Sequence, residues 1–202
     1  MNEKERDRAL HIKTTSVGEQ LDQSSHYHHY EATPYWILDE LFNAYKLEKT
    51  DGLVDYGCGK GRILYYVHNR FQIPVTGIEM NQQLYQDALA NGTSYLRNRK
   101  KSSGSVRIEC CYAEKYEVAT SENCFFLFNP FSLQIFIKTV DQILASVERH
   151  KRTVDIILYY PAVEYTEYLE TSTPFELFQE VKMPGISEIN IRERFSIYRF
   201  EG

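Results

Sequence analysis

The residues best suited to chemistry lie between Leu53 and Glu79. Leu53-Val54-Asp55-Tyr56 is apolar but for one acid, then Gly57-Cys58-Gly59-Lys60-Gly61 precedes Arg62 to Val67. That order predicts a buried strand, a tight turn and the first turns of a helix, the elements of a nucleotide-binding corner. Glycines at alternate positions remove side chains that would hold a ligand off the backbone, and they permit the positive φ angles a sharp strand-to-helix turn needs. The next apolar run, Pro74-Val75-Thr76-Gly77-Ile78-Glu79, ends in an acid and is followed by Met80. A carboxylate at that strand end can accept both hydroxyls of a ribose. The spacing is not the dinucleotide fingerprint G-x-G-x-x-G, because the third glycine, Gly61, comes one residue early and Arg62 stands in its place.

The pattern Asp55, Gly57, Gly59, Gly61, with Glu79 at the next strand end, resembles motif I of the class I S-adenosylmethionine-dependent methyltransferases. The resemblance covers about Thr33 to the carboxyl terminus. It implies an α/β protein with a three-layer αβα Rossmann-like fold, whose mixed seven-stranded sheet has an antiparallel last strand. It also implies S-adenosyl-L-methionine as cofactor and S-adenosyl-L-homocysteine as product. On that footing Asp55 reaches the methionine amine directly or through water, and the N–H groups near Gly57, Cys58, Gly59 and Gly61 face the cofactor. Glu79, with Met80 beside it, takes the ribose.

Two further strand ends carry the resemblance. The family commonly follows its third strand with an Asp-Ala step that holds the adenine, and here Tyr112-Ala113-Glu114 stand, with Tyr112 in the acid's place. Ala113 could still use its backbone and Glu114 could substitute for the acid; an ordinary strand-end loop is the other reading. The continuous apolar run Cys124 to Phe128, the signature of a central parallel strand, ends in Asn129-Pro130-Phe131. This is similar to motif IV of the amino-group methyltransferases with one proline fewer, so Asn129 is a candidate for both cofactor and target contact. Alternatively it only turns the chain into the next helix.

His26-Tyr27-His28-His29-Tyr30-Glu31 concentrates imidazoles and phenols just before Thr33-Pro34. The spacing matches no metal-ligand pattern, and no metal is expected. Two readings stay open: polar surface with incidental histidines, or a lid over the site, as the resemblance implies. In the second, His28, His29 and Tyr30 are catalytic candidates, because histidine exchanges protons near neutral pH.

The elements that must position these groups follow from patterning. Residues 1–32 read as an amino-terminal arm, loosely held or a short helix, and 33–202 as one domain, which suits a chain of 202 residues. Thr33 is the expected N-cap, with Pro34 at the first position, of a helix to about Leu47. Helices should also follow the glycine turn, follow Asn81, and carry Leu133 to Val147, with further strands at Val106 to Cys111 and Val154 to Tyr160. The tail reads as two strands, about Phe175 to Lys182 and Glu193 to Phe200.

A net charge of −5 argues against a surface that tracks a phosphate backbone, despite the local cluster Arg97, Arg99, Lys100, Lys101. A small-molecule or protein acceptor is therefore favoured. An amino-group methyltransferase acting on nucleic acid and a non-catalytic nucleoside-binding regulator are the alternatives, with a nicotinamide oxidoreductase third. Four cysteines without a C-x-x-C pair suit free thiols, and neither a signal peptide nor a membrane-length apolar run is present, so a cytoplasmic location and no membrane partner are expected.

Overall fold

The computed structural model describes residues 1–15, 31–97 and 104–202. Strands β1 (Leu53–Tyr56), β2 (Val75–Ile78), β3 (Val106–Glu109), β4 (Cys124–Leu127), β5 (Thr153–Tyr159), β6 (Glu176–Lys182) and β7 (Arg194–Glu201) form one sheet. Its order is β3-β2-β1-β4-β5-β7-β6. The first five strands pair in parallel, and β7 inserts antiparallel between β5 and β6. The mixed seven-stranded sheet implied by the sequence is thus present, last strand antiparallel.

Alternation along the strands feeds two cores. Leu53, Phe126, Ile157 and Phe195 pack with helices α1 (Glu3–Leu10), α2 (Tyr35–Ala44) and α3 (Arg62–Phe71) on one face, where Tyr95 of α4 (Gln82–Arg97) joins them. Val54, Phe125, Leu127 and Ile156 pack with α5 (Leu133–Arg149) and α6 (Val163–Ser172) on the other. Asp55, next to Val54 and in register with Phe126, therefore faces the side of α2 and α3.

The structure alters several expected boundaries. Helix α2 starts at Tyr35 with Pro34 at the cap position, and Pro34 O accepts from the amides of Ile37 and Leu38. Thr33 therefore lies outside the helix and caps nothing. Instead the carboxylate of Glu3, from α1, accepts the Tyr35 amide at 3.0 Å. The helix also ends at Ala44, and Tyr45 turns extended to place its hydroxyl 2.5 Å from buried Asp155. Asn81 does cap α4, accepting from the amides of Gln83 and Leu84. Asn91-Gly92, a breaker by composition, lies inside that helix without ending it: a Cβ on Gly92 would stand 2.9 Å from the Tyr65 hydroxyl, which donates to Ala88 O. Helix α6 has no counterpart in the expected elements, because only Tyr165 and Leu169 anchor it and the rest is polar.

Asp155 sits under the sheet's amino end with two partners, accepting from Tyr45 and from Arg199 Nε and Nη2 at 2.8 and 2.7 Å. Removing it strands a buried hydroxyl and a half-buried cation. Asp155→Ala should lose about 3 kcal/mol in a urea titration, whereas Lys151→Ala, on the exposed turn before β5, should change stability by less than about 0.5 kcal/mol.

Candidate functional site

The sheet's carboxyl edge gathers the ends of β1, β2, β3 and β4, with order reversing between β1 and β4, where open α/β sheets form their ligand crevice. Gly57, Gly59 and Gly61 have φ of 79°, 54° and 82°, all left-handed, as the turn demands. Close packing adds a second constraint: a Cβ on Gly57 would lie 2.8 Å from Pro130 Cβ, and one on Gly61 would lie 2.7 Å from the Tyr65 ring.

The turn's amides are engaged within the protein, contrary to expectation. Gly57 N and Cys58 N donate to Ile78 O at 2.8 and 3.1 Å, Gly61 N donates to Cys58 O at 2.8 Å, and Gly59 N donates to Glu79 Oε2 at 2.9 Å. What the corner offers a ligand is a side-chain-free surface rather than a row of unsatisfied donors. Glu79 is buried and held at both oxygens, because Asn81 N donates to Oε1 at 2.7 Å. Burial raises its pKa against the opposing amides of Asn81, Gly59 and Met80. Each oxygen keeps a second lone pair for a hydroxyl.

Asp55 is buried too, but no donor among the described residues lies on its carboxyl group. Burial, and then the neighbouring Glu79, push its pKa up to about 8. It lines a pocket with Gly57, Cys58, Ile63, Phe126 and Phe128, and Glu31, Ala32, Thr33 and Arg62 complete the wall. The Thr33 hydroxyl is buried there with no hydrogen-bond partner among the described residues. Burial also raises the Cys58 thiol well above its usual range, so it is a neutral wall group.

Arg62 is the residue that sequence reading passed over. It is 4% exposed, and its Nε donates to Thr14 Oγ1 at 2.7 Å while Nη1 donates to Thr33 O at 3.2 Å. Nη1 also pairs with Glu3, and Nη2 lies 3.8 Å from Asp7. Asp7 accepts from the Thr14 and Thr15 amides and hydroxyls and from the Tyr35 hydroxyl. Its burial would raise its pKa, but these bonds and Arg62 outweigh that and lower it. The available signal was electrostatic: a cation in the first turn of a helix opposes the macrodipole and implies buried anions nearby.

At the remaining strand ends, Tyr112 is half exposed and Ala113 is buried at a 3-10 turn over Ala113–Lys115. Asn129 and Tyr160, which lie just beyond β4 and β5, both have positive φ, 41° and 49°, a conformation that asparagine tolerates better than tyrosine. Arg192 covers the Tyr160 ring at 4.2 Å, and Asn190 Nδ2 donates to its hydroxyl at 3.0 Å. His28, His29 and Tyr30 lie outside the described residues. The four cysteines are free thiols. Among the described residues there is no cluster suited to a metal ion, and no helix is long and apolar enough to cross a membrane.

No family model matches the sequence, and no curated protein matches it significantly. Solved structures do. An RNA methyltransferase from Salinibacter ruber, in complex with S-adenosyl-L-homocysteine, aligns over 84% of this chain and 92% of its own, with 17% identity and a TM-score of 0.56. The fold is that of the class I methyltransferases. Geranyl diphosphate C-methyltransferase from Streptomyces coelicolor A3(2) shares it over 82% of this chain and 76% of its own, at 14% identity and a TM-score of 0.52. The cyclase SpnF aligns over 81% and 78%, at 15% identity and a TM-score of 0.56. One methyltransferase architecture thus carries different acceptors and a cyclisation, so activity must be argued from the site.

The Asp55 carboxyl gives the unliganded site a measurable pH signature. In the unfolded chain it ionises near its ordinary pKa of about 4, so between about pH 4 and pH 8 the folded chain holds more protons and this group's contribution to stability falls as pH rises. Asp55→Asn should match wild type in urea titrations at about pH 4 and exceed it at about pH 8.

Proposed function

We propose that the protein is an S-adenosylmethionine-dependent methyltransferase. The observation that carries this is the pairing of a side-chain-free glycine turn with two buried acids of unequal surroundings, Glu79 fixed by amides and Asp55 without a donor. Support also comes from the fold and from neighbours crystallised with S-adenosyl-L-homocysteine. The residues present fit that ligand. Glu79, with Met80 beside it, would accept from the ribose hydroxyls, and Gly57, Cys58, Gly59 and Gly61 would give close approach. Tyr112 and the Ala113 backbone would border the adenine, and Asn129 would stand between cofactor and acceptor. Asp55 would meet the ammonium, which is cationic where the pocket already holds an unsatisfied acid.

When bound, this cofactor supplies a methyl group already activated on a sulfonium, so the chain's own task is to orient the acceptor in line and to exclude water. Phe126 and Phe128 give the pocket a dry wall for that purpose. An acceptor that must lose a proton would draw on His28 or His29, then on Tyr30. A small-molecule or protein acceptor agrees with the net charge of −5. The second reading, amino-group methylation of nucleic acid, is favoured by the left-handed Asn129 before Pro130 and buried Phe131, and by the RNA methyltransferase among the neighbours.

Calorimetry with S-adenosyl-L-homocysteine tests the cofactor assignment. Wild type should bind, Glu79→Gln should bind about tenfold or more weakly, and Gly59→Val, forcing a β-branched residue into a left-handed turn, should bind weaker still. Absence of binding heat in wild type, or both variants binding as wild type does, would refute it. A radiolabel screen across metabolites, peptides and RNA then separates an enzyme from a non-catalytic nucleoside binder.

A further inference from the structure

The pocket wall carries two acids at different depths. Asp55 is buried at β1, whereas Glu31 is exposed at the mouth. Arg62, the cation of that wall, is already matched by Glu3 and Asp7, and its Nε is committed to Thr14 Oγ1. The pocket therefore keeps an acidic balance. Asp55 serves the donor's ammonium in the reading above, which leaves Glu31 without an assigned partner.

The position of Glu31 sets it apart from the adenosine. Phe128 lines the same pocket just beyond β4, and its ring lies 4.6 Å from that of Tyr159 on β5. The Tyr159 hydroxyl donates to Glu193 Oε2 at 2.7 Å, and its pKa is raised by burial, then by Glu193, then by the charge of Glu31. Glu31 thus stands toward β4 and β5, whereas Glu79, the ribose acid, follows β2 on the far side of β1. A carboxylate beside an aromatic wall favours a cation through both its charge and the ring quadrupole, and it repels a phosphate. The neighbouring Tyr160 ring already carries a cation in this way, Arg192 at 4.2 Å. Resting on the donor reading above, we infer that the methyl acceptor is a cationic amine, held by Glu31 against Phe128 over the ends of β4 and β5. For transfer the amine gives one proton to solvent at the open mouth. Its lone pair then takes the methyl carbon while the carbon–sulfur bond breaks and leaves its electron pair on sulfur, so the products are a methylated ammonium and S-adenosyl-L-homocysteine.

Methyl transfer from radiolabelled S-adenosyl-L-methionine to probes matched for shape but not for charge tests this. Spermidine, phenethylamine and a lysine peptide carry the cation; phenethyl alcohol, the same peptide with its amines acetylated, and an RNA transcript do not. Label should enter at least one of the first three and none of the others, and the probe that takes it separates a free amine from a protein side chain. Glu31→Gln should raise KM for that acceptor about tenfold or more, while binding S-adenosyl-L-methionine and S-adenosyl-L-homocysteine as wild type does. Glu31→Asp should recover part of the loss. Label confined to the uncharged probes or RNA, label in no probe by a protein that binds S-adenosyl-L-homocysteine, or an unchanged KM in Glu31→Gln would overturn the assignment. A selective loss of S-adenosyl-L-methionine over S-adenosyl-L-homocysteine in that variant would also overturn it, by setting Glu31 against the sulfonium. Failure of wild type to bind S-adenosyl-L-homocysteine would instead overturn the donor reading itself.

Discussion

A guanidinium buried at the amino end of a helix is the constraint around which this protein's site is arranged. Arg62 follows the last glycine of the turn, where the helix dipole disfavours a cation, and burial deprives it of water. Glu3 and Asp7 of α1 supply the compensating charge, Thr14 Oγ1 accepts from its Nε, and the Thr33 carbonyl accepts from its Nη1. Glu3 also accepts the Tyr35 amide at the start of α2. One side chain therefore locks three segments distant in sequence against the glycine turn. Ion groups of this kind contribute little net stability relative to apolar packing, but losing one member is costly because the rest are left buried and unpaired. Their effect is to specify one arrangement.

That arrangement decides what the carboxyl edge of the sheet presents. Parity along β1 sends Val54 and Tyr56 into the core under α5 and leaves Asp55 on the opposite face, beside Phe126 of β4. The segment pinned by Arg62 then covers Asp55 with Glu31, Ala32 and Thr33. Asn91 of α4 fastens the same region a second time, donating to Lys60 O and accepting from Lys13 N. The pocket wall is thus made jointly by the turn and by chain that precedes the sheet, and neither part is complete alone.

Much of this was legible in the sequence where short patterns decide the outcome. The glycine turn, the acid at the end of β2, the apolar run of β4 and the Asn81 cap each rest on local rules, and the architecture follows from strands alternating with helices. What escaped were features set by distant partners. Thr33-Pro34 has the composition of a helix start, but Glu3, contributed by α1, satisfies the first amide and moves the cap to Pro34. The helix after Asn81 is readable through Asn91-Gly92 from its apolar period, but not that Asn91 ties two loops and that Gly92 makes room for the Tyr65 hydroxyl. The direction of the turn's amides was unreadable for the same reason, since Ile78 O and Glu79 take them.

The two acids of the site show how surroundings divide labour between similar groups. Both are buried at neighbouring strand ends, so both resist ionising, and the Glu79 carboxylate makes the charge of Asp55 harder still to hold. Amides on both Glu79 oxygens offset its burial and fix its orientation, which suits a group that receives neutral hydroxyls. Asp55 has no such relief, and a pKa of about 8 makes its protonated form the cheaper one near neutrality. A cation placed against it reverses that balance, because the ionised carboxyl then gains a partner it otherwise lacks. Binding of an ammonium should accordingly release a proton from Asp55, so affinity for such a ligand should rise with pH over the range in which the free site holds that proton.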